Sequence, residues 1–225
     1  MFDEKYYVNN KQNEKRLALS FYKRVIKRYI KPKVLLDYGC GTGWFLNEIN
    51  NLKKIKKTYG YEINEYAIEK AKKNSKRSEI IKKLSDIKEN SLDCISALHV
   101  FEHINDSQLR KILIEFKRIL KKKGFIILVM PAKDGFAHQL KGNNWIGYSD
   151  NTHINLKNYQ GWVNFFKDNN LYVKRSASDG LWDFPYKISN YPIKFFKIFF
   201  LMIIQIFFGR LNISYNDGES FIFIF

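Results

Sequence analysis

Three glycines at alternate positions follow an apolar run that contains an acid. The run Val34–Tyr38 includes Asp37 and predicts a buried strand, and Gly39, Gly41 and Gly43 lead from it into a helical pattern. A turn without side chains lets the backbone approach a ligand closely, and the N–H groups that open the following helix point at that ligand. These residues predict a nucleotide-binding turn.

A second acid stands where a ribose would be bound. Glu62 follows the apolar strand that ends in Gly60 and Tyr61. It lies about 20 residues after the glycine turn, where α/β nucleotide-binding folds place a carboxylate on the ribose hydroxyls. The two motifs together predict a cofactor that contains adenosine.

The glycine spacing argues against two common phosphate sites. A dinucleotide fingerprint needs a third glycine at the position of Trp44, and no Gly-x-x-x-x-Gly-Lys-Ser/Thr stretch is present. The pattern Asp-x-Gly-x-Gly-x-Gly, from Asp37 to Gly43, instead resembles the class I S-adenosylmethionine-dependent methyltransferases. In that family the turn passes beside the methionine half of the cofactor, which carries no phosphate.

The resemblance extends over nearly the whole chain. Residues 90–104 look like the family's fourth strand and its His-x-x-Glu-His turn, and residues 120–131 look like the fifth strand after a basic turn. Residues 150–156 and 159–167 resemble the histidine-containing loop and the last helix, and residues 218–225 the closing strand. The most similar subgroup includes quinone-biosynthesis and glycan-pathway O-methyltransferases.

The resemblance implies a set of cofactor contacts. Asp37 and the glycines would hold the methionine half, Glu62 the ribose, and Asp86 with Ile87 the adenine. Asp86 could equally be a solvated turn residue, because the register of this region differs from the family's usual acid. The residues expected to bind S-adenosylmethionine are Asp37, Gly39, Cys40, Gly41, Gly43, Glu62, Ile63, Asp86, Ile87 and Leu98.

Histidines beyond the fourth strand are the candidates for proton transfer. His99 and His103 flank Glu102 there, and His153 belongs to the loop that in relatives folds over the acceptor. O-methylation requires the acceptor hydroxyl to lose a proton, and an imidazole with a pKa near neutrality accepts one. We predict that His99, His153 and His103 are catalytic, with His99 or His153 as the base.

A metal site is the alternative interpretation of the same turn. Some relatives, among them quinone O-methyltransferases and small-RNA 3′-end methyltransferases, bind a divalent ion with Glu-x-x-Glu-His, where this chain has His99-x-x-Glu102-His103. His99, Glu102, His103 and His153 would form a nitrogen-rich site that favours zinc-like over magnesium-like ions. In the structural interpretation, the Glu-His pair caps the following helix and steadies the loop. We predict no metal cofactor.

The composition describes a strongly basic chain. Its 225 residues carry a net charge of +17, with 31 lysines and 8 arginines. An anionic membrane surface explains this charge at least as well as a nucleic acid partner does. The two cysteines give no disulfide framework, and residues 1–5 lack the apolar core of a signal peptide. We expect a cytoplasmic protein, peripheral on the inner membrane face.

The hydrophobic pattern predicts an α/β fold, a Rossmann-like seven-stranded, mostly parallel sheet with helices on both faces and an antiparallel last strand. Strands are predicted at about 33–38, 57–62, 79–84, 92–98 and 124–130. The runs Lys53–Lys57 and Lys121–Lys123 are placed in turns before strands. Residues 31–225 are expected to form the methyltransferase domain.

Residues 1–30 are predicted to be an N-terminal cover and helix. The helix runs from about 14 to 30, with a buried face of Leu17, Phe21, Val25 and Tyr29. Phe2–Tyr7 resembles the aromatic segment that covers the active site in relatives. Tyr6 and Tyr7 would then contact substrate or pack under a helix.

An insertion at about 181–217 is the second unusual feature. Its centre, 195–208, is apolar on all sides of a helix except for Lys197 and Gln205, and it is shorter than the ~20 residues that span a bilayer. Its basic and aromatic borders suit a segment at 193–209 that lies in a membrane interface. A homodimer interface and burial against the sheet are the alternatives.

The sequence therefore predicts an S-adenosylmethionine-dependent methyltransferase that O-methylates a small or lipid-linked acceptor at a membrane surface. One alternative is a methyltransferase that acts on RNA or another nucleic acid. The other is a non-catalytic cofactor-binding or membrane-scaffold protein.

Overall fold

Seven strands in the order β3-β2-β1-β4-β5-β7-β6 form the sheet of the computed structural model, which describes residues 4–9, 13–187 and 190–225. The strands are β1 Val34–Tyr38, β2 Lys57–Tyr61, β3 Glu79–Ile81, β4 Leu92–Leu98, β5 Leu120–Pro131, β6 Arg175–Ser178 and β7 Ser220–Ile224. β1 runs parallel to β2 and β4, and β2 parallel to β3, whereas β7 is antiparallel to β5 and β6. The predicted fold class is confirmed.

The α-helices alternate with the first strands and then dominate the second half of the chain. They are α1 Glu4–Asn9, α2 Leu17–Tyr29, α3 Trp44–Asn50, α4 Glu65–Asn74, α5 Asp106–Ile119, α6 Phe136–Lys141, α7 Ile146–Ser149, α8 Tyr159–Asp168 and α9 Pro192–Phe208. The chain divides into two compact units, residues 1–98 with 112–126 and residues 99–111 with 127–225.

Three details of the first unit differ from the predictions. Leu17 is exposed, and the buried residues of α2 are instead Leu19, Phe21, Tyr22, Val25 and Ile26. The strand predicted at about 79–84 is shorter: β3 ends at Ile81, and Leu84–Asp86 forms a 3₁₀ turn. The run Lys121–Lys123 lies within β5, with its side chains exposed, because the strand begins directly after α5. Phe2 and Asp3 of the predicted cover lie outside the described residues.

In the second unit α9 has two different apolar faces. Phe195, Ile198 and Met202 are buried in a cluster with residues such as Phe136 and Trp145. Gln205 on the same face is fully buried, where its amide donates to the Ser178 carbonyl (3.2 Å) and accepts from the N–H groups of Asn212 (2.8 Å) and Ile213 (3.0 Å). The polar residue inside this apolar helix therefore anchors it.

The opposite face of α9 is apolar and exposed. Its exposed residues are Ile193, Phe196, Phe199, Phe200, Ile203, Phe207 and Phe208. The helix has 17 residues. Among the described residues, no helix combines the length and apolar character needed to cross a bilayer.

Asp37 is the buried acid at the centre of the first unit. Register pairs it with Gly60 of β2 and Ser96 of β4, and the Ser96 hydroxyl donates to its Oδ1 at 2.7 Å. Burial raises the pKa of Asp37 to about 7, against the hydrogen bond from Ser96, and the charge of Glu62 raises it further. At a pH between the ordinary pKa of an aspartate and this raised value, the folded protein therefore keeps a proton on Asp37 that the unfolded chain has already released.

This raised pKa predicts a pH-dependent loss of stability. Because the folded-state pKa lies above the unfolded value, the contribution of Asp37 to stability falls as pH rises between about 4 and 7. Asp37→Asn cannot ionise, so from pH 5 to pH 8 wild type should lose about 2–3 kcal/mol of unfolding free energy relative to this variant. Urea unfolding at both pH values measures the difference. Asp86→Asn, at an exposed acid of the same unit, should follow wild type; parallel pH curves for wild type and Asp37→Asn would contradict the assignment.

Candidate active site

The glycine turn after β1 requires glycine for two separate reasons. Gly39, Gly41 and Gly43 have φ of 72°, 52° and 83°, the left-handed region that other residues adopt at a cost. At Gly43, where α3 begins, a Cβ would lie 2.8 Å from the Cα of Ala71 in α4. Close approach of α3 to α4 therefore depends on Gly43, not on a glycine at the position of Trp44.

Glu62 fastens the glycine turn to the end of β2. Its buried carboxylate accepts from the N–H of Gly41 (3.0 Å) through Oε2 and from the N–H groups of Ile63 (2.8 Å) and Asn64 (3.0 Å) through Oε1. Asn64 then caps α4 by accepting from the N–H of Ala67. A carboxylate has about four lone-pair sites, so three donors leave acceptor capacity for a ligand.

The other predicted cofactor residues differ in exposure. Ile63, directly after Glu62, is an exposed apolar side chain (67 %), whereas Cys40 is buried. Leu98, the last residue of β4, is half-buried. The exposed Ile63 provides an apolar surface beside the Glu62 carboxylate.

Asp86 and Ile87 lie at the 3₁₀ turn after β3. Asp86 is exposed and the Ile87 side chain is buried. The Arg118 guanidinium holds the turn by donating to the carbonyls of Leu84 (3.0 Å) and Ile87 (3.2 Å). Sequence reasoning missed Arg118, because a basic residue near the end of a helix gives no sign of a distant carbonyl partner.

The N-terminal segment packs on α4. Tyr7 is buried with its ring 5.8 Å from that of Tyr66, and Asn13 donates to the Tyr66 hydroxyl at 3.0 Å. The Trp44 indole N–H donates to the Asn13 carbonyl at 3.0 Å. Burial raises the pKa of Tyr7, and so does the charge of Glu62. Tyr7 therefore packs against a helix, which is one of the two roles predicted for it.

In the second unit the chain brings three histidines to one buried carboxylate. His99 adopts a φ of 56°, and its Nδ1 lies 3.4 Å from Oε1 of Glu102. The rings of His103 and His153 lie 4.7 Å apart between centroids, and each of these two residues has a ring nitrogen near Glu102. The structure thus assembles the three predicted catalytic histidines with Glu102.

Glu102 is completely buried. Burial alone would raise the pKa of Glu102, but the imidazoles of His99, His103 and His153 outweigh it and hold this pKa below its usual range. Burial lowers the pKa of His103, against the charge of Glu102, which raises it. The balance of burial and neighbouring charges therefore lowers the pKa of both Glu102 and His103.

Hydrogen-bond acceptors fix the position of one hydrogen on two of these rings. His103 Nδ1 lies 2.9 Å from the Thr152 hydroxyl and 3.2 Å from the Thr152 carbonyl, and His153 Nδ1 lies 2.9 Å from the carbonyl of Gly147. Because a carbonyl only accepts, both Nδ1 atoms carry a hydrogen. Sequence reasoning missed Gly147 and Thr152, because main-chain acceptors leave no residue-type signal.

Hydrogen bonds from main-chain N–H groups and a side-chain amide hold the loop that carries His153. The N–H groups of Ile154 and Asn155 both donate to the Glu102 carbonyl at 2.9 Å, and the Asn155 side chain donates to the Ile104 carbonyl at 2.7 Å. Asn105, not the Glu-His pair, accepts from the first turn of α5 through the N–H of Gln108. The interpretation of the Glu-His pair as a helix cap is therefore wrong.

Comparison with known proteins assigns the fold. A crystal structure of a SAM-dependent methyltransferase from Archaeoglobus fulgidus superposes with a TM-score of 0.64 at 17 % identity and covers 99 % of both chains. A crystal structure of a SAM-dependent methyltransferase from Aquifex aeolicus superposes with a TM-score of 0.61 at 21 % identity. The superposition covers 79 % of this chain and 93 % of the Aquifex chain. At such identities the likeness concerns the fold.

Sequence comparison gives a partial relative and a family. The chain is 32 % identical over 114 residues to an uncharacterized protein of Methanocaldococcus jannaschii, and the match spans about half of each (49 % and 47 %). The Methyltransferase domain family matches residues 10–175. This match covers most of the chain, from the N-terminal segment through the glycine turn and the histidine cluster to the start of β6. The chain therefore belongs to the class I S-adenosylmethionine-dependent methyltransferases, and S-adenosylmethionine is its cofactor.

Proposed function

We propose that this methyltransferase methylates a hydroxyl oxygen of a small or lipid-linked acceptor at an anionic membrane surface. The observation that carries the proposal is the exposed apolar face of α9, bordered by cationic side chains. The cofactor supplies an electrophilic methyl group on a sulfonium.

Glu62 is the proposed ribose ligand. Its carboxylate is held by three N–H groups and retains acceptor capacity for a sugar hydroxyl. The exposed Ile63 beside it would cover one face of the adenine, with Asp86 and Ile87 at the adenine edge. Asp37 and the turn from Gly39 to Gly43 would hold the methionine half.

His99 is the proposed base. Its Nδ1 faces the Glu102 carboxylate at 3.4 Å, while its side chain is 36 % exposed. A carboxylate behind an imidazole orients the ring and stabilises the cation that forms on proton uptake. His99 would take the proton that the acceptor hydroxyl loses when its oxygen receives the methyl group from the cofactor's sulfur. His103 and His153 are more enclosed and have one nitrogen committed to a carbonyl.

The exposed face of α9 is the proposed membrane contact. Residues 193, 196, 200, 203 and 207 recur at helical spacing and form one apolar stripe. Lys197 is exposed on the same helix, and the exposed Lys187 and Arg210 precede and follow it in the sequence. An apolar stripe flanked by cations suits the interface of an anionic bilayer, where apolar burial and charge attraction add.

Transfer of radiolabel from S-adenosylmethionine to a membrane-containing lysate, followed by organic extraction, tests the whole proposal. Label that enters the organic phase and is released by cleavage of methyl ethers supports it. Label that stays in the aqueous phase on RNA would replace the lipid-linked acceptor with a nucleic acid. Absence of any transfer with a cofactor-loaded protein would favour a non-catalytic scaffold.

Replacing the proposed ribose ligand should weaken cofactor binding. Glu62→Gln exchanges a charge-assisted acceptor for an amide whose NH₂ faces main-chain donors, so affinity for S-adenosylmethionine should fall about 10–100-fold. Isothermal titration calorimetry measures it. Glu69→Gln, at an exposed position on α4, is the matched control. Unchanged affinity in a folded Glu62→Gln variant would refute the ribose role.

Removing the proposed base should slow methyl transfer without affecting cofactor binding. His99→Asn suits the position because asparagine tolerates a positive φ. The turnover of label into the membrane extract should fall about 10²–10⁴-fold. Cofactor affinity should stay the same, and His138→Asn should transfer at the wild-type rate. Wild-type turnover by His99→Asn would assign the proton to another group.

Polar substitution on the exposed face of α9 should release the protein from membranes. Phe200→Ser with Phe207→Ser should reduce binding to vesicles of phosphatidylcholine and phosphatidylglycerol at least about 10-fold, because each buried phenylalanine contributes about 1.5–3 kcal/mol. Ile114→Ser with Tyr172→Ser, two equally exposed apolar residues elsewhere, should bind like wild type. If wild type itself does not float with these vesicles, the membrane proposal fails.

A further inference from the structure

We propose that three lysine-rich segments of the first unit form one surface that binds the phosphate backbone of a nucleic acid duplex. The segments are 27–33, 53–57 and 121–123, which together we call the cationic patch. Eleven of their fifteen residues are lysine or arginine, and none is acidic. All eleven cationic residues are exposed. Binding at this patch requires no methyl transfer and is independent of the proposed function.

Hydrogen bonds and an ion pair bring the three segments together at one edge of the sheet. The N–H groups of Lys56 and Lys57 donate to the Lys33 carbonyl at 2.8 and 3.2 Å. Asp93, in β4, accepts from the Lys33 N–H (2.9 Å) through Oδ2, and its Oδ1 forms an ion pair with Lys121 (2.7 Å). The patch therefore extends from β2 across β1 and β4 to β5, about 14 Å at the usual strand spacing.

Acidic side chains neutralise little of the charge of the patch. Lys57 pairs with Glu79 at 2.9 Å and Lys121 pairs with Asp93. The other lysines of the patch form no ion pair with any residue that the structure describes; they are Lys27, Lys31, Lys33, Lys53, Lys54, Lys56, Lys122 and Lys123. Like charges held this close together raise the local potential, and this potential attracts a polyanion.

The width and the charge of the patch match a duplex. Over about 14 Å of its axis, duplex DNA carries about eight negative charges. The patch presents eight lysines without an acidic partner over the same width. Lysine binds phosphate as a point charge, whereas bidentate recognition of planar groups favours arginine. We therefore expect contacts to phosphates without preference for base sequence.

The side chains of the patch do not suit a single strand or a bilayer interface. Proteins that bind single strands stack bases on aromatic side chains, and interfacial membrane segments insert apolar ones. Within the described chain, the exposed large apolar and aromatic side chains include none from the patch. This distinguishes the patch from the exposed face of α9, whose phenylalanines are the proposed membrane contact.

The position of the patch separates it from the candidate cofactor turn. Lys33 precedes β1 and Gly39 follows it, so these two residues lie about 20 Å apart along the strand. A bilayer bound at the patch would hold the edge with the glycine turn away from the lipid. A duplex bound there contacts the edge opposite that turn, so it tethers the protein and is not its methyl acceptor.

Fluorescence anisotropy of two short labelled DNA duplexes of unrelated sequence tests the patch. Wild type should bind both equally, with a Kd of about 10⁻⁴–10⁻⁶ M at physiological salt. Lys54→Gln with Lys56→Gln and Lys122→Gln should weaken binding about 10–100-fold. The slope of log K against log salt should become shallower by about 2–3, because three phosphate contacts are lost.

The matched control removes the same charge outside the patch. Lys83→Gln with Lys111→Gln and Lys133→Gln replaces three other exposed lysines. This variant should bind both duplexes like wild type, because its net charge equals that of the patch variant while the patch is intact.

Three results would overturn the proposal. The first is a folded wild-type protein that binds neither duplex at low salt. The second is an equal loss of affinity in the patch and control variants, which would assign binding to the overall charge of the chain. The third is patch-dependent binding to phosphatidylglycerol vesicles without duplex binding, which would make the patch a lipid contact. The assay contains neither S-adenosylmethionine nor a methyl acceptor, so none of these results bears on the proposed methylation.

Discussion

A buried carboxylate must be stabilised by a proton, by donors or by a cation, and this constraint applies to a buried glutamate in each of the two units. Glu62, directly after β2, is stabilised by three main-chain N–H groups, which fix the glycine turn and the start of α4 together. Glu102, shortly after β4, is surrounded by imidazoles and lacks such donors. Main-chain donors therefore hold the Glu62 carboxylate, whereas the Glu102 carboxylate depends on the imidazoles around it.

The sequence specified the first arrangement well because its signals are local. The φ values of Gly39, Gly41 and Gly43 demand glycine, and an acid at the end of a parallel strand reaches the neighbouring turn by register. The close approach that a third dinucleotide glycine provides in other folds falls here on Gly43, against α4.

The second arrangement was only partly predictable, because its decisive partners are main-chain atoms distant in sequence. The spacing of His99, Glu102 and His103 was visible, but the carbonyls of Gly147 and Thr152 that set the tautomers were not. Likewise, a Glu-His pair before a helix suggests a cap, and the cap is the neighbouring Asn105. Residue types predict which groups are available; only the fold determines which of them remain without a partner.

The insertion that contains α9 shows that apolar residues, too, predict the structure only in part. A helix that is apolar all round predicts burial, a dimer or a membrane equally, since composition does not say which face the protein itself covers. The structure shows which face of α9 the protein covers. The Gln205 side chain on that face bonds to Ser178, Asn212 and Ile213. Phe195, Ile198 and Met202 on the same face are buried in the core. The phenylalanines on the opposite face of the helix are left exposed. Their exposure, on a helix that also exposes Lys197, supports the proposed contact with an anionic membrane surface.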